Sequence, residues 1–127
     1  MPIPVQLLKF VDDPSKYRPH DAFVARLPLG IDAKRRLLSV LYERLAFPDY
    51  FGFNWDALSD CLRDLNWIGQ KQIVILHDEL PNLSEEDLRT YISILSDAAI
   101  DWNRSEEHEL EIIFPERVRE IVNSLFQ

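Results

Sequence analysis

Cysteine occurs once in the 127 residues and glycine only three times. The single thiol, Cys61, excludes an internal disulfide framework and any multi-cysteine metal site, and it fits a reducing compartment. With so little glycine there is no Gly-rich phosphate loop and no Gly-x-Ser-x-Gly elbow. No stretch approaches the ~20 apolar residues that cross a bilayer. The opening MPIPVQLLKFVDDP lacks a basic leader and is broken by Lys9, so neither a signal peptide nor membrane attachment is expected. Positive charge is scarce as well: 14 Lys and Arg stand against 22 Asp and Glu, a net charge of −8. What remains is an ordinary globular balance, 46% hydrophobic and 28% charged. One domain over residues 1–127 is expected, with a core at about 22–114, an N-terminal extension at 1–20 and a C-terminal helix at 115–127. A cytoplasmic monomer fits this composition.

Charge is unevenly placed. Residues 1–48 carry a balance of +3, residues 49–111 a balance of −11, and the last sixteen residues are neutral. Nucleic-acid binding, which needs clustered bases, is therefore not expected. Such a field attracts a basic partner and speeds encounter at low salt, and it also serves plain solubility.

The elements follow from periodicity. Phe23 to Leu27 reads as a short strand, closed by Pro28 and Gly30. Asp32 is placed to cap a helix whose buried face is Leu37, Leu38, Leu41 and Leu45, and which stops before Pro48. A second helix starts at Asn54, and Ile73 to Leu76 is a buried strand. Ser84 and Asp87 open a third helix with the stripe Leu88, Tyr91, Ile92, Leu95, Ala98, Ala99 and Trp102. Leu110 to Phe114 is another strand, and Pro115 opens a closing helix with Val118, Ile121, Val122 and Leu125 on one side. The order predicts an α/β fold, a small three-stranded parallel sheet packed with helices. Val5 to Val11 forms either an extra edge strand or a docked arm.

The informative stretch is FPDYFGFNWDALSDCLRDLNW, from Phe47 to Trp67. Leu58, Cys61, Leu62 and Leu65 share one helical face. Asp56, Asp60 and Asp64 recur every fourth residue, at about 0°, 40° and 80° around the axis, and so form one exposed acidic ridge. Like charges at this spacing destabilise an isolated helix by about 0.2–0.5 kcal/mol per pair. The dipole offsets the cost at Asp56 but opposes Asp64 near the helix end, and Arg63 is the one neighbouring cation. A local cost without local benefit points to a use outside the helix. Tyr50, Phe51, Phe53 and Trp55 crowd around Gly52, which supplies an unusual backbone conformation or a close approach. Phe51 and Trp55 are expected in the core; aromatic rings beside a charged ridge are the composition of a binding hot spot.

PDYFGFNWDALSDCL resembles the signature of the barstar family, intracellular inhibitors of secreted guanyl-preferring ribonucleases. The resemblance is strongest from Leu45 to Leu62 and covers some three-quarters of the chain. It implies a protein that plugs a basic ribonuclease with a helix and its preceding loop, doing no chemistry itself. It places Tyr50, Gly52 and Asn54 in the contacting loop, where Phe51 is a further partner-binding candidate. On the helix it places Asp56 and Asp60, with Asp60 reaching the phosphate-binding centre, and Asp97 as a further acidic contact on the third helix; Ser59 and Asp64 are partner-binding candidates beside them. The match departs from the family pattern at Phe53 (a glutamate there), Ser59 (a tryptophan), Asp64 (a glycine) and Leu65 (a tryptophan), although Trp67 could fill some of that last space.

Two other readings use the same residues. An acidic interaction module for a basic non-nuclease partner would present the same ridge. A metal-dependent enzyme could use Asp56 with Asp60, or a corner at His77-Asp78-Glu79, but His20, His77 and His108 form no zinc spacing. No cofactor and no metal are expected.

Overall fold

The computed structural model describes residues 7–127. Its elements run β1 (Leu8–Val11), β2 (Ala22–Leu27), α1 (Lys34–Arg44), α2 (Trp55–Asp64), β3 (Gln72–His77), α3 (Glu85–Asn103), β4 (Glu109–Pro115) and α4 (Arg119–Ser124). Short 3-10 turns occupy Pro14–Lys16 and Glu116–Val118. The sheet is fully parallel, in the order β1-β4-β3-β2. It has four strands rather than the expected three. The extra one is β1, which pairs Leu8 with Ile112 and Phe10 with Phe114 along an edge of β4 that would otherwise be open. Of the segment Val5 to Val11, residues 5 and 6 lie outside the described residues.

Alternation along the strands divides the sheet into two faces. Ile73, Ile75, Leu110, Ile112 and Phe114 join the main core with the buried faces of α1, α2 and α3. Val74, Leu76 and Ile113 form a second cluster on the other face, with Val11, Tyr17 and Ala22 packed against it. Because β1 and β2 lie at opposite edges, the chain between them must cross β4 and β3, and residues 12–21 do so as a strap. Tyr17 of the strap donates its hydroxyl to Glu111 of β4 at 2.7 Å. Lys9 of β1 binds the same carboxylate at 2.6 Å, and the Gln72 amide bonds to it as well. A nearly buried carboxylate is thereby neutralised and fully bonded, which is the condition for keeping one inside.

Several expectations hold in detail. All seven residues of the α3 stripe are buried, and Ser84 Oγ accepts from the Asp87 amide at 3.1 Å. Two do not hold. Asp32 does not cap α1; Ala33 occupies the cap position without a side-chain bond, because the helix begins one residue later and leaves the carboxylate outside capping reach. Pro115 does not open the last helix. It ends β4 opposite Val11, and a 3-10 turn precedes α4. The tighter 3-10 winding shifts the angular phase, so Val118, Val122 and Leu125 enter the core while Ile121 stays 52% exposed.

Candidate functional site

The loop between α1 and α2 is fixed from beneath by rings. Phe51 is buried and packs against Phe47, Tyr42 and Phe53, with centroids 4.9–5.9 Å away. Trp67 meets Phe47 edge-on and donates its indole N–H to the Leu45 carbonyl at 2.9 Å. Gly52 does not take the left-handed conformation; Phe53 does, with φ 52°. The role of Gly52 is close approach, since a Cβ there would stand 3.2 Å from Asn54 Nδ2. Asn54 needs that space. Its side-chain oxygen accepts from the Ala57 amide at 2.8 Å and caps α2, while its Nδ2 donates to the Gly52 carbonyl at 3.3 Å.

Trp55 is half-buried, stacked on Tyr91 of α3 at 6.2 Å, with the Lys34 ammonium 5.0 Å from its ring centroid. Tyr50 is 73% exposed and Phe53 45% exposed, so two of the four crowded rings face solvent. Leu58, Cys61, Leu62 and Leu65 turn inward as their spacing requires. Asp56 and Asp60 are exposed and Asp64 is half-buried. Among the described residues none of the three makes an ion pair or a side-chain hydrogen bond. Arg63, the one cation on this helix, reaches instead to Asp101 of α3 at 3.2 Å. The ridge is left with its full negative charge.

Tyr50, Phe51, Gly52, Asn54, Asp56, Ala57, Asp60 and Cys61 line one open groove of about 300 Å³. Its buried members Phe51 and Cys61 form the floor of the groove. Burial first, and then the carboxylates of Asp64 and Asp60, push the Cys61 thiol up, away from reactivity. Partial desolvation and then the Asp64 charge likewise raise the Tyr50 phenol. Ser59 is half-buried and stands outside the groove lining. Asp97 is exposed on α3 and lines a different groove, with Glu86, Arg89, Thr90, Ser93 and Ile94. It sits one turn before Asp101, the residue that pairs with Arg63. Ala57, which also lines the groove, is assigned to no face by periodicity, whereas Tyr50 and Phe53 are the two rings left outside the expected core pair.

The metal-corner reading finds its ligands occupied. His77 is buried, with Nδ1 2.9 Å from the Ile113 carbonyl and Nε2 2.7 Å from the Tyr91 hydroxyl. Asp78 pairs with Arg26 at 2.6 Å, and Glu79 accepts from the Gly30 amide at 2.7 Å. Among the described residues no cluster of three or more His, Cys, Asp or Glu could hold a metal ion, and no helix is long and apolar enough to cross a membrane.

Neither the curated proteins nor the solved structures contain a match to the chain. The family model described as Barstar (barnase inhibitor) matches residues 23–114, from the second residue of β2 to the penultimate residue of β4. That stretch holds the capped helix, its aromatic loop and three of the four strands, and the chain belongs to the barstar family.

Proposed function

We propose that this protein inhibits a basic ribonuclease of the barnase type by seating the carboxylates of α2 in the enzyme's phosphate-binding site. The observation that carries the reading is the pair Asp56 and Asp60: exposed, unpaired among the described residues, and presented by a helix whose start is capped and whose approach is packed with rings. A ribonuclease gathers cations around the scissile phosphate to stabilise developing negative charge. A carboxylate at that position accepts the same charge-assisted bonds, including bidentate ones from arginine. Asp60, mid-helix, takes the central place; Asp56 and Asp64 meet cations at the rim. Tyr50, Gly52 and Asn54 supply the adjoining loop contacts, and Asp97 approaches from α3. The strongly acidic stretch 49–111 speeds encounter.

Inhibition of this kind is a matter of occupancy, with no bond made or broken by the inhibitor. The test is titration of barnase with the protein while RNA cleavage is followed. Stoichiometric loss of cleavage is expected. Asp60→Ala should weaken binding by about 2–5 kcal/mol, the general cost of truncating one member of a buried charge pair, a range that the barnase–barstar complex itself helped to set. Undiminished cleavage at excess protein would overturn the barnase-type reading. Binding that leaves cleavage untouched would assign the ridge to an interaction module instead.

A further inference from the structure

The last turn of α2 is held by groups that the proposed inhibitory contacts do not use. Trp102, in the final turn of α3, donates its indole N–H to the Leu62 carbonyl at 2.7 Å. The ring of His108, just before β4, lies 3.0 Å from the Leu65 carbonyl through Nε2 and 3.0 Å from the Gln70 carbonyl through Nδ1. Both neighbours are carbonyl oxygens, which only accept, so the ring's N–H serves one or the other of them. The two rings meet edge to face with centroids 5.0 Å apart, and each is largely buried. Leu65 is the helix's terminal cap, in the left-handed region at φ 49°. Carbonyls at a helix end lack intrahelical partners; here that of Leu62 accepts from the Trp102 indole, and that of Leu65, which also accepts from the Ile68 amide at 3.2 Å, is met by the His108 ring.

We infer that Trp102 and His108 are positioning residues for the acidic ridge. They fix the axial position and pitch of α2 against α3, so that Asp60 and Asp64, within two residues of the clamped carbonyls, are presented in one preset arrangement. Preorganisation of this kind raises affinity by removing the ordering cost from the binding step. The effect on affinity rests on the inhibitory reading above; the clamp itself does not.

Two measurements on the full chain test this separately. Trp102→Phe removes only the indole donor, and His108→Phe keeps a ring while removing the nitrogens that face the two carbonyls. Amide hydrogen exchange on the free variants should show faster exchange from Cys61 to Ile68 with β3 and β4 unchanged; equal acceleration throughout would overturn the clamp. With barnase as the probe, each variant should bind about tenfold more weakly, the size of one lost buried hydrogen bond. In a double-mutant cycle, Asp60→Asn should cost at least about threefold less in the His108→Phe background than in the wild type, whereas additive losses would overturn the positioning role. A wild type that fails to bind barnase would sink the inhibitory reading alone, and the exchange experiment would still decide the clamp.

Discussion

Tyr91 donates its hydroxyl to Nε2 of His77 at 2.7 Å, and Nδ1 of the same ring faces the Ile113 carbonyl at 2.9 Å. The carbonyl can only accept, so the neutral imidazole is held with its proton on Nδ1 and its Nε2 lone pair toward the tyrosine. The ring also stacks on Phe114 with centroids 4.1 Å apart. Since Tyr91 in turn stacks on Trp55, a buried polar pair at the end of β3 is joined by direct contact to the start of the acidic helix.

Burial pushes His77 down to about 4 from its ordinary 6.5. The unfolded chain therefore binds more protons than the folded one between those values, and stability rises with pH across that window. Urea midpoints should be level above pH 6.5, fall as pH drops toward 4, and lose up to about 3 kcal/mol from this group. His77→Gln should flatten that part of the profile.

Glu111 makes a second acid-sensitive contribution. Burial acts to raise its carboxyl, but bonds from Lys9 and Tyr17, with the Lys9 charge, outweigh it and hold the group below its ordinary 4.5. The stabilisation is present above 4.5 and disappears as pH falls through the lower folded-state value. Tyr17→Phe should cost about 1–3 kcal/mol at neutral pH, as loss of a bond to a charged group does, measured by urea unfolding.

Ala46 adopts φ 54° at an exposed position after α1. A Cβ is unfavourable in this region, and an exposed position buries little area to offset the cost. Ala46→Gly should therefore stabilise the protein by about 0.5–1 kcal/mol, net of glycine's greater freedom in the unfolded chain, read as a higher thermal midpoint.

Asp60→Asn should separate stability from binding. Relief of the like-charge pairs with Asp56 and Asp64 should raise stability slightly, by about 0.2–0.5 kcal/mol per pair at low salt, while affinity for barnase falls. Parallel urea unfolding and calorimetric titration give the two signs. A loss of stability with no change in binding would mean that the ridge serves the fold.

Wherever one element's own periodicity carries the information, the sequence is readable. The α3 stripe, the inward face of α2, the Asn54 cap and the outward acids all follow from residue spacing on a single helix. The errors fall at junctions. Asp32 lies one residue too early because a helix start depends on where the preceding loop leaves the sheet. Ile121 faces solvent because a 3-10 turn, invisible to a pattern built on α-helical spacing, resets the phase. Of the two roles open to Gly52 the structure takes close approach, and the left-handed conformation falls to Phe53, since which loop residue adopts it is set by how the rings stack beneath it.

The amino-acid order alone therefore determined which side chains share a face, including the acidic row and the apolar stripe opposite it. Folding decided what each face meets. Arg63 could neutralise either neighbouring aspartate by spacing, yet α3 brings Asp101 within 3.2 Å of it and the ridge keeps its charge. Leu8–Val11 could be arm or strand, and the open edge of β4 made it a strand. Periodicity is a property of one element, whereas an ion pair or a strand partner depends on the distance between two, and that distance exists only once the layers have packed.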